Sequence, residues 1–230
     1  MAPSQENPIR DVSYLSLRRT IGYIGFFMPW LVRVVANLGE GPGKDLGYLK
    51  SISAYYYTSA HDVFVGLLFA AGLFLCFYRG SVKSIQDRIL GVIWGFAAAF
   101  IGLVPMDRCE AVALPSGCVI HSTQHFIPVT VFFAISIYMT LFRFTKSPKP
   151  ENLKPEKKKR NKVYIVCGVV MLASALILFY NNRQGISIFW PEAIALFSFS
   201  VAWLVKGHTI FADKPRSPEA PVAAAAALQL

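Results

Sequence analysis

Charge is scarce in this chain. Asp, Glu, Lys and Arg make up 16% of its 230 residues, against about a quarter in an ordinary soluble domain. Acid is scarcer still, with 13 Asp and Glu against 23 Lys and Arg. No G-x-S-x-G elbow, no phosphate-cradling glycine loop and no nucleic-acid module occurs, which removes the common serine-hydrolase, nucleotide-binding and DNA- or RNA-reading classes. No internal repeat is evident. The polar start MAPSQENPIRDVSYLSLRR runs straight into an apolar stretch without a small-residue cleavage site, so the first helix is expected to be retained.

Apolar residues fill the space that charge leaves. They form 54% of the chain, with a mean hydropathy of +0.46. A spanning helix needs about 20 mostly apolar residues. Six stretches approach this length: 20–38, 61–78, 89–106, 124–142, 163–180 and 188–205. The expected fold is all-α, a polytopic membrane protein built as a bundle of six transmembrane helices. A cytoplasmic N-terminal segment (1–19) precedes the transmembrane domain (20–207), and a disordered tail (208–230) follows it.

The net charge of +10 is distributed by topology rather than as a nucleic-acid footprint. Arg10, Arg18 and Arg19 precede the first stretch, and Arg79, Lys83 and Arg88 lie between the second and third. Arg143, Lys146, Lys149 and the run KPEKKKRNK lie between the fourth and fifth, and Lys206, Lys214 and Arg216 follow the sixth. The alternate loops hold only Lys44, Lys50, Arg108 and Arg183. The positive-inside rule then places both termini in the cytoplasm. The basic run is first a topology signal, and second a contact for anionic headgroups.

Of the four cysteines, Cys76 and Cys167 fall within spans and read as packing residues. Cys109 and Cys118 lie in the loop MDRCEAVALPSGCVI, on the outer side of this topology. An oxidising exterior permits a disulfide between them. A Cys/His metal site with His121 is the rival reading.

This topology gathers ionisable residues into one outer layer. His61 and Asp62, His121 and His125, and Glu192 open the second, fourth and sixth stretches. Arg33 and Asn37 close the first, and Asp107 follows the third. Simpler readings exist for several. Ser59-Ala60-His61-Asp62 matches a capping box, Pro191-Glu192 a helix first turn, and Tyr55, Tyr56 and Tyr57 an interfacial aromatic belt. The pair in HSTQH, His121 and His125, shares one helix face. With Asp62 or His61 as a third ligand it suits a catalytic zinc centre with an open position. Interhelical hydrogen bonding without metal is the alternative. Arg33 is expected to pair with Asp62 or Glu192, or to hold an anionic headgroup.

The stretches SISAYYYTSAHDVFVGLLFAAGLFLCFYRG, HFIPVTVFFAISIYM, KKKRNKVYIVCGVVMLAS and FWPEAIALFSFSVAWLVKG resemble a group of small, uncharacterised bacterial multi-span membrane proteins. That resemblance implies a bacterial inner (plasma) membrane. It places Ser51, Tyr55, Asp62, His125 and Glu192 in the motif-bearing stretches, with no activity attached. A looser chemical similarity is to the CREST superfamily of membrane hydrolases, which includes the alkaline ceramidases. Those enzymes hold zinc with an aspartate and histidines, an HxxxH pair among them, and HSTQH with Asp62 echoes that set. The superfamily has seven spans with its pair in the last, whereas here the pair opens the fourth of six.

Two functions compete. In the first, His121, His125, Asp62 and His61 supply the ligands of a zinc hydrolase acting on a lipid ester or amide. Glu192 and Asp62 are its catalytic carboxylates, and Arg33, Ser51, Tyr55 and Asp107 bind the ligand. In the second, the same pocket serves a non-enzymatic lipid or small-molecule binding, sensing or transport protein. Haem clamped by His61 and His125 ranks below both, since His208 alone cannot supply a second axial pair. Membrane lipid is the expected environment and a candidate substrate or ligand. Nucleic acid is not an expected partner, and the oligomeric state is not readable from sequence.

Overall fold

The computed structural model describes residues 8–41, 45–80, 84–106, 123–147 and 154–211. The described residues are all-α, with six helices: α1 (Pro8–Gly39), α2 (His61–Cys76), α3 (Ile85–Leu103), α4 (Thr123–Tyr138), α5 (Pro155–Arg183) and α6 (Phe189–Lys206). A short 3-10 helix, Ser53–Tyr57, precedes α2, and a π-helical turn, Met139–Arg143, extends α4. Five helices are long and apolar enough to cross a membrane, and α2 is a shorter apolar helix.

Each helix packs on its neighbours in chain order, and α6 returns to α1, so the six close into a ring. An aromatic column fills its interior. Trp94 and Trp203 stack at a centroid distance of 5.5 Å, with Phe199, Phe132, Tyr78 and Phe144 around them. The Trp94 indole N–H donates to Ser136 Oγ at 2.9 Å, which satisfies its one polar atom. The outward faces carry large apolar side chains such as Leu38, Phe77, Leu176 and Tyr180, the surface a hydrocarbon solvent requires.

The largest departures from the hydropathy reading are at two helix starts. α1 starts at Pro8 rather than near residue 20, and α5 starts at Pro155 rather than near 163. Both extensions are polar and basic, so an apolar window stops short of them. Pro155 also occupies a first-turn position, where its missing N–H costs nothing. Of the cysteines, Cys76 and Cys167 are free thiols. The expected Cys109–Cys118 bridge lies outside the described residues, as does the tail from 212 onward.

α2 and α3 cross closely. Gly91 and Gly95 form a G-x-x-x-G spacing on α3, and the backbone of Gly95 rests against that of Gly72. A Cβ at Gly95 would overlap Cys76 Sγ and the Gly72 carbonyl. Small residues of this kind let helices approach closely in lipid, where hydrophobicity supplies no drive between them. Gly66, by contrast, has open space where a Cβ would stand. Gly95→Leu is expected to cost roughly 1–3 kcal/mol, and Gly66→Ala to leave stability unchanged or slightly raised, in thermal unfolding of the detergent-purified protein.

Candidate functional site

The candidate site is built on a segment that is buried but is neither helix nor strand throughout. Residues 45–60 join α1 to α2, and Ser51, Ile52, Ala54 and Tyr55 within it are buried. Their backbone groups need partners, and the start of α6 supplies several. The Lys50 carbonyl accepts from Ile188 N at 2.8 Å, Phe189 N at 3.0 Å and Ser187 Oγ at 3.1 Å. In return Glu192 Oε2 accepts from Ile52 N at 2.6 Å. Glu192 is 7% exposed and, among the described residues, forms no ion pair. It sits in the first turn of α6 as expected, but its oxygen serves the 3-10 segment rather than its own helix.

His125, 3% exposed near the start of α4, ties three elements together. Its Nδ1 lies 2.6 Å from the Val104 carbonyl at the end of α3. Its Nε2 lies 3.1 Å from Ser53 Oγ. A carbonyl only accepts, so Nδ1 carries the proton, and in the neutral ring Nε2 accepts from the serine hydroxyl. Ser51 Oγ accepts from Ala54 N at 3.0 Å and contacts Met106 Sδ at 3.1 Å, and the Tyr57 hydroxyl donates to the Met106 carbonyl. Tyr55 is fully buried, with its hydroxyl 3.3 Å from the Gly47 carbonyl. It is a core residue and not part of an interfacial belt.

His61 and Asp62 are placed differently from the expected inward ligands. Their side chains are 42% and 99% exposed, and they pair with each other at 2.9 Å. The capping box is absent too. Ala60 is the N-cap of α2, with no side-chain capping bond, and the Ser59 hydroxyl donates instead to the Val35 and Ala36 carbonyls of α1. The physical reason is the face that α2 turns to the core, which carries Phe64 and Leu68. Adjacent positions about 100° apart then carry Asp62 outward.

Among the described residues the zinc centre expected from sequence is not assembled. Both ring nitrogens of His125 are engaged, Asp62 faces away, and among the described residues no three His, Cys, Asp or Glu side chains are placed to hold a metal. His121 and Asp107 lie outside the described residues.

Arg33 finds a partner that sequence reading missed. Its Nη2 lies 3.3 Å from Asp45 and its Nε 3.3 Å from the Gly47 carbonyl, with the guanidinium 4.4 Å over the Tyr48 ring. Asn37 completes the arrangement, donating to Asp45 Oδ1 at 3.0 Å and accepting from Leu46 N at 3.1 Å. The expected pairing with Asp62 or Glu192 is therefore replaced by a local clasp between α1 and the loop. The only signal for it is the short distance in sequence from Arg33 and Asn37 to Asp45. The Gly47 N–H, and then the Arg33 charge and Asn37 amide, hold the Asp45 carboxyl below its ordinary value of 3.8.

No family model, curated protein or solved structure matches the chain.

Two outcomes follow from this geometry. His125→Ala strands the Val104 carbonyl and should cost roughly 1–3 kcal/mol, whereas Ser53→Ala keeps that bond and should cost about 0.5–1.5 kcal/mol, both read by thermal unfolding. Because the folded Asp45 is more acidic than the unfolded group, its stabilisation is complete above pH 3.8 and is lost as pH falls below that value. Asp45→Asn should flatten the acid limb of the unfolding midpoint plotted against pH and leave the neutral region parallel to wild type.

Proposed function

We propose that the chain is a multi-pass membrane protein that binds or senses a small amine-bearing molecule or lipid headgroup at Glu192, without hydrolytic chemistry. The carrying observation is Glu192 itself, a carboxyl enclosed at the end of the helix ring with one backbone N–H and no cation as its hydrogen-bonding company among the described residues. A lone carboxyl at such a place needs a proton or a compensating cation, and an ionisable group in a membrane helix is a functional candidate by default. An ammonium group supplies both the charge and donors for the remaining lone pairs. The aromatic rings near the start of α6, Tyr48, Phe189 and Trp190, stack at 4.9–5.5 Å and offer a cation a polarisable border.

The zinc hydrolase that HSTQH and Asp62 suggested is the weaker reading, since Asp62 is directed outward and His125 joins Ser53 to Val104. In the proposed topology the Glu192 end faces the outside of a bacterial inner membrane, and the ligand enters from the outer leaflet.

Thermal unfolding in detergent with ethanolamine and with tetramethylammonium tests the reading, wild type beside Glu192→Gln. Glutamine keeps an acceptor for Ile52 N, so the variant should fold. A ligand at about 100 times its Kd stabilises its protein by roughly 2.7 kcal/mol. Wild type should show a saturable shift that the variant lacks. Equal shifts in both, or none in wild type, would remove the proposal.

A further inference from the structure

The end of the ring opposite Glu192 carries two kinds of cation. Arg18, Arg143, Arg160 and Lys206 are buried there. They are engaged within the protein: Arg143 pairs with Asp87, and Arg160 Nη1 donates to the Phe211 carbonyl at 2.7 Å. Lys154, Lys158 and Lys162 are exposed instead, at and just after the start of α5. What they can meet is decided by the face of the helix on which they stand.

α5 is the least enclosed of the five spanning helices. Arg160, Tyr164, Cys167, Met171 and Ser174 mark its buried face. Ile165, Val169, Leu172, Leu176 and Tyr180, at 44–64% exposure, mark its outward face. Lys154, Lys158 and Lys162 each stand 18 residues before Leu172, Leu176 and Tyr180 respectively, about five full turns at 3.6 residues per turn. The lysines therefore continue the outward apolar stripe beyond its end. The one carboxylate of α5, Glu156, is half-buried and falls on the other side of the helix. Lys162 precedes Ile165 by about 4.5 Å along the axis, and Lys158 by about 10.5 Å. The polar layer beside the hydrocarbon is roughly 5–8 Å thick. Lys162 thus falls within that layer and Lys158 near its outer edge, on a flexible stem that can reach back. A lipid chain lying along the outward stripe has its headgroup beside these ammonium groups. A zwitterionic headgroup brings its own cation, whereas an anionic one leaves net negative charge to answer them.

We propose that the outward face of α5 is a contact site for anionic phospholipid. The acyl chain lies along Ile165, Val169 and Leu172, and the phosphate meets Lys162 and Lys158. Lys154 adds attraction from one turn further out. The proposal rests on the multi-pass reading of the chain and is independent of what Glu192 binds.

The test uses the full chain and three proteins: wild type, a triple variant with Lys154→Gln, Lys158→Gln and Lys162→Gln, and a triple variant with arginine at the same positions. All three side chains are exposed, so both variants should fold. Membranes holding each protein are first washed with alkaline carbonate, which strips proteins that do not span. The proteins are then purified in neutral detergent, mixed with equal amounts of phosphatidylglycerol and phosphatidylcholine, and the lipid each retains is counted by native mass spectrometry. A lysine near an anionic surface is worth roughly fivefold in binding. Wild type should hold phosphatidylglycerol over phosphatidylcholine by at least about tenfold, the arginine variant should match it, and the glutamine variant should lose most of the preference. No preference in a wild-type chain that resists carbonate would overturn this proposal alone. An equal preference in wild type and the glutamine variant, or a loss in both variants, would overturn it as well. Release of the wild-type chain by carbonate would overturn it together with the multi-pass reading.

Discussion

The start of α6 and the loop between α1 and α2 hold each other by an exchange of hydrogen bonds. α6 gives its first N–H groups to the Lys50 carbonyl, and the loop gives the Ile52 N–H to Glu192. The constraint behind this exchange is general. Peptide groups that leave regular structure inside an apolar environment must be answered by the protein itself. Ser51, Ser53, Tyr55, Tyr57 and His125 all serve that requirement around the same segment. Directly after it, α2 turns Phe64 and Leu68 to the core and leaves His61 and Asp62 exposed.

That economy separates the polar groups by their role. His125 has both ring nitrogens committed between Val104 and Ser53, which makes it a fastener between helices. Glu192 gives one oxygen to a backbone amide and meets no cation among the described residues. Arg33 is answered locally by Asp45. Of the described residues in the layer, Glu192 alone combines deep burial with an ionisable group that has no ion pair, which sets it apart from the histidines that dominate the sequence pattern.

The number and order of helices were legible because apolar runs of spanning length need no tertiary information to recognise. The polar first turns of α1 and α5 were not, since hydropathy is blind to helices that continue into basic sequence. The gathering of His125 and Glu192 at one end followed from topology, whereas Ser51 and Tyr55 entered through the family resemblance. Their partners followed from neither. Nothing in the order of residues says that Glu192 meets Ile52 N, or that Ser59 turns to the carbonyls of α1 instead of capping α2. The buried cations at the other end were visible only as topology charges. Their enclosure depends on Tyr14, Tyr78, Phe144 and Tyr164 converging from four separate stretches.

The brevity of α2 has a mechanical consequence. Its 16 residues reach about 24 Å at 1.5 Å per residue, short of the roughly 30 Å of hydrocarbon in a typical bilayer. With its π-helical turn counted in α4, each of the other five has at least 18 residues, so in a bilayer α2 would be the shortest crossing of the ring. Lipid beside it would thin or tilt to meet it, at a cost of fractions of a kcal/mol per Å. That mismatch would fall at one fixed place, beside the segment that hydrogen-bonds Glu192. A thinner membrane would relax it and a thicker one would deepen it, which would couple the packing of the segment to the bilayer.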